Sequence, residues 1–182
     1  MKNTLILLSI LIMLSCGSDD STEGPTADSR VVSRPFVTTW TVADGTTIRI
    51  PVNPNISGYN YSVDWGDGSS AENVQGDTTH IYTIADTYTV EITGDFPAIF
   101  VDLSDQTARR QYTDNIATVE SWGDIEWESM ENAFRDIPSL SINAQDLPNL
   151  QNVENMASMF ASTSVVVSGA PLNDSILPTK SS

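Results

Sequence analysis

From Phe36 onward, apolar and polar residues alternate with a period of two. Phe36, Thr38, Trp40 and Val42 share one face, and Ile48, Ile50 and Val52 follow after the Asp44-Gly45 turn. This period predicts strands, because successive side chains of a strand point to opposite sides. Pro51 has no N–H for a ladder, so the second strand is expected to lie at an edge or to end there. Tyr59, Tyr61, Val63 and Trp65 form an aromatic inner face opposite Asn60, Ser62 and Asp64, and Gly66-Asp67-Gly68-Ser69 closes that strand with turn residues. After a polar loop, further strands are expected at Thr79–Thr83 and Tyr88–Thr93, with Tyr88, Val90 and Ile92 inward. The alternation runs on through Ile99, Val101 and Leu103. A charged stretch with Arg109 and Arg110 then leads to Ile116, Val119 and the Trp122-Gly123 turn. Several short strands separated by turn signals predict a β-sandwich.

Beyond Trp122 the period changes. Met130, Ala133, Phe134 and Ile137 stand at i, i+3, i+4 and i+7, the spacing of one face of a short helix, which Pro138 would close. Val153, Met156, Met159 and Phe160 repeat the stripe. Met130 to Met156, Phe134 to Phe160, Leu140 to Val166 and Ala144 to Ala170 share one and the same offset. A fixed period of this size, about 26 residues, points to a solenoid. One such unit cannot bury its own apolar face, and three or more are usually needed. With barely two, the sandwich is expected to cap the first unit through Trp122 and Trp127, while Val165-Val166-Val167 would remain an exposed strand edge.

The N-terminus follows a third pattern. Lys2 precedes the apolar run Thr4–Leu14, which is long enough for a secretory core but too short to span a bilayer. Residues 17–33 are rich in Ser, Asp, Thr and Gly with little to bury, which makes them a tether. Composition narrows the chemistry. The 182 residues carry 24 acids against 8 basic groups, a formal charge of −16, and this argues against binding nucleic acid through its phosphates. One Cys and one His exclude an internal disulfide and a His/Cys metal cluster.

Four resemblances follow from particular residues. Ile12-Met13-Leu14-Ser15-Cys16 resembles the lipobox of bacterial lipoproteins, with Met13 in place of the usual Leu. It implies a signal peptide over residues 1–15, and diacylglyceryl modification and acylation of Cys16. Gly17-Ser18-Asp19-Asp20 resembles the acidic tag that directs some lipoproteins to the outer face of the outer membrane. Tyr61-Ser62-Val63-Asp64-Trp65-Gly66-Asp67-Gly68, Thr79-His80-Ile81-Tyr82 and Asp86-Thr87-Tyr88-Thr89-Val90 occur in the order seen in the polycystic-kidney-disease (PKD) domain. That resemblance implies an immunoglobulin-like sandwich used as an extracellular spacer or binding module, with His80 as a packing residue. Asp86-Thr87 departs from the Gly usual before Thr-Tyr. Trp127-Glu128-Ser129-Met130-Glu131-Asn132-Ala133-Phe134 and Val153-Glu154-Asn155-Met156-Ala157-Ser158-Met159-Phe160 resemble BspA-type leucine-rich repeats of bacterial surface lipoproteins, a family associated with adhesion.

The expected architecture is therefore mainly β with short helices: a signal peptide (1–15), a lipidated Cys16 with a tether (16–35), a PKD-like β-sandwich (36–103), about two BspA-type repeats forming a short α/β solenoid (104–170), and a disordered tail (171–182). Structural-motif positions are Trp65, Gly66, Asp67, Gly68, His80, Tyr82, Tyr88, Met130, Phe134, Met156 and Phe160. Asp64 and Asp67, beside Glu72 and Asp77, are weak calcium candidates, since hard cations take several oxygens, but their spacing is not that of an EF-hand. The acid pairs Asp124/Glu126 and Glu128/Glu131 could be read as hydrolytic carboxylates, yet acids are abundant enough here to pair by chance. The expected function is a non-catalytic, lipid-anchored adhesion or binding module of the outer membrane, surface-exposed, without cofactor, and taking a protein or glycan partner. The alternative is an accessory spacer or glycan-binding component of a surface polysaccharide-utilisation system. A solvent-facing Trp or Tyr platform would favour that alternative, because sugar rings stack on aromatic faces.

Overall fold

The computed structural model describes residues 33–168. The apolar leader, Cys16, most of the expected tether and the tail from residue 169 onward lie outside the described residues. The described residues fold into nine strands and one short helix: β1 (Phe36–Val42), β2 (Thr46–Ile50), β3 (Asn60–Asp64), β4 (Ser70–Val74), β5 (Thr78–Tyr82), β6 (Asp86–Asp95), α1 (Gln106–Thr113), β7 (Ile116–Ser121), β8 (Leu140–Ile142) and β9 (Val165–Val167). It is mainly β, with a mixed seven-stranded sheet ordered β4-β3-β6-β1-β7-β8-β9 and a two-stranded sheet of β2 and β5, an arrangement consistent with a β-sandwich.

The alternating residues explain the layers. Phe36, Thr38, Trp40 and Val42 of β1 are buried, as are Ile48 and Ile50 of β2 and Tyr61 and Val63 of β3. β1 lies at the middle of the large sheet, antiparallel to β6 over the register from Phe36↔Ile92 to Val42↔Asp86, and antiparallel to β7 on its other side. β2 ends before Pro51, where the Asp77 carboxylate accepts the Val52 N–H at 2.7 Å and pairs with the Arg49 guanidinium. Two aromatic contacts seat Trp122 and Trp127 against β1: Phe36 stacks on Trp122 at 5.8 Å and meets Trp127 edge-on at 5.3 Å. A chain of ring contacts therefore runs Tyr59, Tyr61, Phe96, Trp127, Trp122, Phe134 and Phe160 without a break. Sheet and ring chain both pass straight through the position, between residues 103 and 104, where a domain boundary is expected.

Several expectations need correction. The stretch predicted as strand through Ile99, Val101 and Leu103 forms a single bridge, Ala98↔Ser129; Ile99 and Val101 are buried but Leu103 is exposed. The loop expected to be polar contains the edge strand β4, and the charged stretch contains α1, whose start is capped by the Asp105 carboxylate accepting the Ala108 N–H at 2.9 Å.

The short helices predicted at Met130–Ile137 and Val153–Phe160 do not form. These stretches are runs of turns at 131–136 and 157–162. Asn132 and Asp136 in the first run, and Ser158 and Ser162 in the second, hold left-handed φ between 52° and 59°. An α-helix needs φ near −63° throughout, so a left-handed residue at every fourth position breaks it. Asn, Asp and Ser are short polar residues suited to such positions. The backbone donors turn sideways instead: the N–H groups of Met130, Asn132, Phe134 and Asp136 donate to the carbonyls of Asn155, Ala157, Met159 and Ala161 in the second run, at 2.8 to 3.0 Å. β7, β8 and β9 stack in parallel alongside. The left-handed residues recur at the offset of the sequence repeat, whereas Leu140 pairs with Val165 and not with Val166. Ala144 is buried, and Ala170 lies outside the described residues.

Candidate functional site

The residues of the Trp65–Tyr88 words come together at one end of the small sheet. Gly66 and Gly68 take positive φ of 76° and 89°, and a Cβ on Gly66 would stand 2.2 Å from the Thr89 carbonyl oxygen, so only glycine lets the turn lie on β6. Asp67 Oδ1 accepts the Ser69 N–H at 3.0 Å and the Ser69 hydroxyl at 2.5 Å, and its other oxygen lies 2.7 Å from His80 Nε2. The Ser69 hydroxyl, against a desolvation that opposes it, and then His80 hold the Asp67 carboxyl down at about 2. His80 stacks on Trp65 at 4.9 Å and meets Tyr82 edge-on at 4.7 Å. The Tyr82 hydroxyl donates to the Trp65 carbonyl at 2.6 Å, and its ring stacks on Tyr88 at 4.0 Å. The Asp67 carboxylate, His80 Nε2 and the Tyr82 hydroxyl are thus engaged in fixing the turn to the strands.

Two of the other calcium candidates also bond within the fold. Asp64 Oδ1 accepts the Gly66 N–H at 2.9 Å, and Asp77 is held by Arg49. Among the described residues no three Asp, Glu, His or Cys side chains are gathered as a metal-ligand group. In the acid-rich stretch, burial alternates strictly. Ile125, Trp127 and Ser129 are buried while Asp124, Glu126 and Glu128 face out. Asp124 accepts from the Arg34 guanidinium at 2.6 and 2.9 Å and from its N–H at 2.8 Å; these hydrogen bonds lower its pKa. Glu128 and Glu131 line a shallow groove with Glu154 and Asn155.

Sequence reasoning missed three features. The first is a cleft of about 340 Å³ between Pro51–Pro54, Phe100–Asp102 and α1, lined by Arg49, Arg109, Asp77, Asp102 and Asp105. Arg109 is paired with Asp136 at 3.0 Å, and the buried Tyr112 hydroxyl donates to the Ala133 carbonyl at 3.1 Å, which ties α1 to the first turn run. The second is Asp146, which accepts from the N–H groups of Trp122 and Gly123 at 2.9 Å and from the Ser121 hydroxyl at 3.0 Å. Burial pushes this carboxyl up, but the three donors outweigh it and keep its pKa below the usual range. Third, Arg34 and Pro35, expected in the tether, are fixed: the Arg34 carbonyl accepts the Asp124 N–H at 2.9 Å. Asp146 and Asp124 both take partners remote from them along the chain, and no local pattern marks such pairs.

The remaining motif residues divide by position. Met130 and Phe134 are fully buried, Phe160 is half-buried and stacks on Phe134 at 5.6 Å, and Met156 is 48% exposed. Val166 and Val167, on the outermost strand, are 57% and 60% exposed. All four tryptophans are buried, as are four of the five tyrosines, and only Tyr88 is no more than half-buried. Comparison with protein-family models, with curated proteins and with solved structures found no match.

Proposed function

We propose that this chain is a lipid-anchored surface protein that binds another macromolecule and carries out no catalysis. The observation that carries this reading is the division of side chains: most aromatic and large apolar residues are committed to one continuous core, while among the exposed ones Met156, Val166 and Val167 gather on the last described coil. Such an inventory suits a scaffold that presents surfaces. The turn rows that recur once per repeat, bonded coil to coil, support reading residues 104–170 as a short BspA-type repeat segment of the leucine-rich-repeat kind. The interlocked Trp65, Asp67, His80 and Tyr82 support a PKD-like, immunoglobulin-like sandwich over residues 36–103. In this reading Cys16 carries the lipid, residues 16–35 bridge to the sandwich, and the protein sits on the outer membrane facing outward. Several acyl chains, at roughly 0.8 kcal/mol per buried CH₂, would hold it there. Among the described residues no helix is long and apolar enough to cross a membrane.

The burial of every tryptophan weighs against the alternative of a glycan-stacking accessory protein. Three experiments test the proposal. Metabolic labelling with a radioactive fatty acid is expected to label the protein and to leave Cys16→Ala unlabelled; equal labelling would remove the anchor. Intact cells treated with protease are expected to lose the protein, and an extracellular-matrix panel run beside a glycan array is expected to show binding to proteins. Binding to sugars alone would shift the assignment to the polysaccharide-system role.

A further inference from the structure

We infer that the outer edge of the last coil is a docking edge for an extended basic polypeptide, which adds a parallel strand beside β9 and lays a row of backbone carbonyls over the turns at 157–162. This rests on the binding-module reading above and names its site, but it is independent of the anchor.

The interface already inside the molecule shows what this edge accepts. The first turn run presents four N–H groups, those of Met130, Asn132, Phe134 and Asp136, and each meets a carbonyl of the second run. The second run repeats the same geometry one coil later, with left-handed Ser158 and Ser162 in place of Asn132 and Asp136. The equivalent donors are the N–H groups of Met156, Ser158, Phe160 and Ser162, and none of them has an acceptor among the described residues. Beside them runs the side of β9 that pairs with no strand among the described residues. Leu140 N–H donates to the Ser164 carbonyl and Ser168 N–H to the Ile142 carbonyl, so even-numbered residues bond inward and the peptide groups of Val165 and Val167 point outward. The Phe160 ring, stacked on Phe134, is only half-buried. A strand edge, a donor row and an apolar platform therefore lie on one surface, the combination used in strand addition.

Backbone donors in a row at every second residue demand acceptors at the same spacing, which an extended polypeptide supplies. A second copy of this edge would set donors against donors. Charge selects further: Glu154 is exposed on this coil, residues 137–168 hold no Lys or Arg, and the chain as a whole carries a formal charge of −16, so a basic segment is attracted and another copy is repelled.

The probe is a labelled peptide with this chain's own sequence from Leu140 to Thr163 carrying D146K and E154K, titrated into the full chain in mild detergent and followed by fluorescence anisotropy. Saturable binding is expected. It should weaken at least tenfold with the unmodified acidic peptide at low salt, and at least tenfold with the protein variant Val167→Pro, which removes one outward N–H while sparing the bonds to β8. Near-UV circular dichroism of Val167→Pro should match the parent. In the unsubstituted protein, hydrogen exchange at Ser158, Phe160 and Ser162 should slow at least tenfold on adding the peptide. Absence of saturable binding, or binding without slowed exchange at those amides, would overturn the inference. A concentration-dependent dimer abolished by Val167→Pro would also overturn it, assigning the edge to a second copy. If the edge fails while the protein still binds the matrix panel, only this site is lost and the binding-module reading stands.

Discussion

Asp67 links two strands through one carboxylate, receiving the Ser69 hydroxyl and N–H on one oxygen and His80 on the other. Because its folded-state pKa lies near 2, below the ordinary 3.8, its contribution to stability is fully present above about pH 4 and is lost as pH falls through about 2. The side chain is a quarter exposed, so solvent screening limits the effect to about 1–2 kcal/mol. Urea midpoints measured from about pH 5 down to pH 2 should show Asp67→Asn less stable than the parent at the upper end and converging with it at the lower end. A constant gap across the range would mean that the carboxylate's charge is not what stabilises the turn. The words that carry this cluster were legible because Gly-Asp-Gly and the Thr-His-Ile-Tyr alternation are local. The Asp67–His80 bond itself was not, since it joins residues on different strands.

At the scale of elements, the stripe Met130, Ala133, Phe134 and Ile137 marks four side chains that are all fully buried, and in that sense the periodicity reads the core faithfully. It misreads the backbone, because a tight succession of turns with a left-handed residue every fourth position also brings i, i+3, i+4 and i+7 to one side. Ser158 distinguishes the two conformations experimentally. It is exposed with φ of 57°, a value that costs an L-residue roughly 1–2 kcal/mol and glycine almost nothing. Ser158→Gly is therefore expected to stabilise the protein by about 0.5–1 kcal/mol, read as a higher thermal midpoint, whereas in a helix the same change would destabilise it by a similar amount. The strands β1, β2, β3, β5 and β6 followed from clean alternation. β4 (Ser-Ala-Glu-Asn-Val) did not, because an edge strand with two half-buried residues leaves no apolar pattern. α1 was equally opaque, with buried residues only at Tyr112 and Thr113 near its end.

For the whole molecule, the large sheet and the ring chain cross the middle of the sequence without a seam. Trp127 is the junction, fully buried between Phe36, Phe96 and Trp122. Residues 33–168 are accordingly expected to unfold in a single transition. Near-UV circular dichroism and hydrogen exchange at coil amides such as Phe134 should give coincident midpoints. Trp127→Ala should lower both together by about 3–5 kcal/mol. Two separate transitions would mean that sandwich and coils fold as independent units.

The place of β1 in this sheet has a mechanical consequence. The chain enters the described fold directly into β1, which is clamped on both sides by antiparallel neighbours and is paired along its whole length on the β6 side. A pull arriving from the N-terminal side, as the proposed anchor and a bound partner would produce, would load those hydrogen bonds together in shear, not one after another as in peeling. Drag on the distant coil edge would thus be resisted at the strongest line of the fold, and the short parallel strands β8 and β9 would yield before the central strand slips.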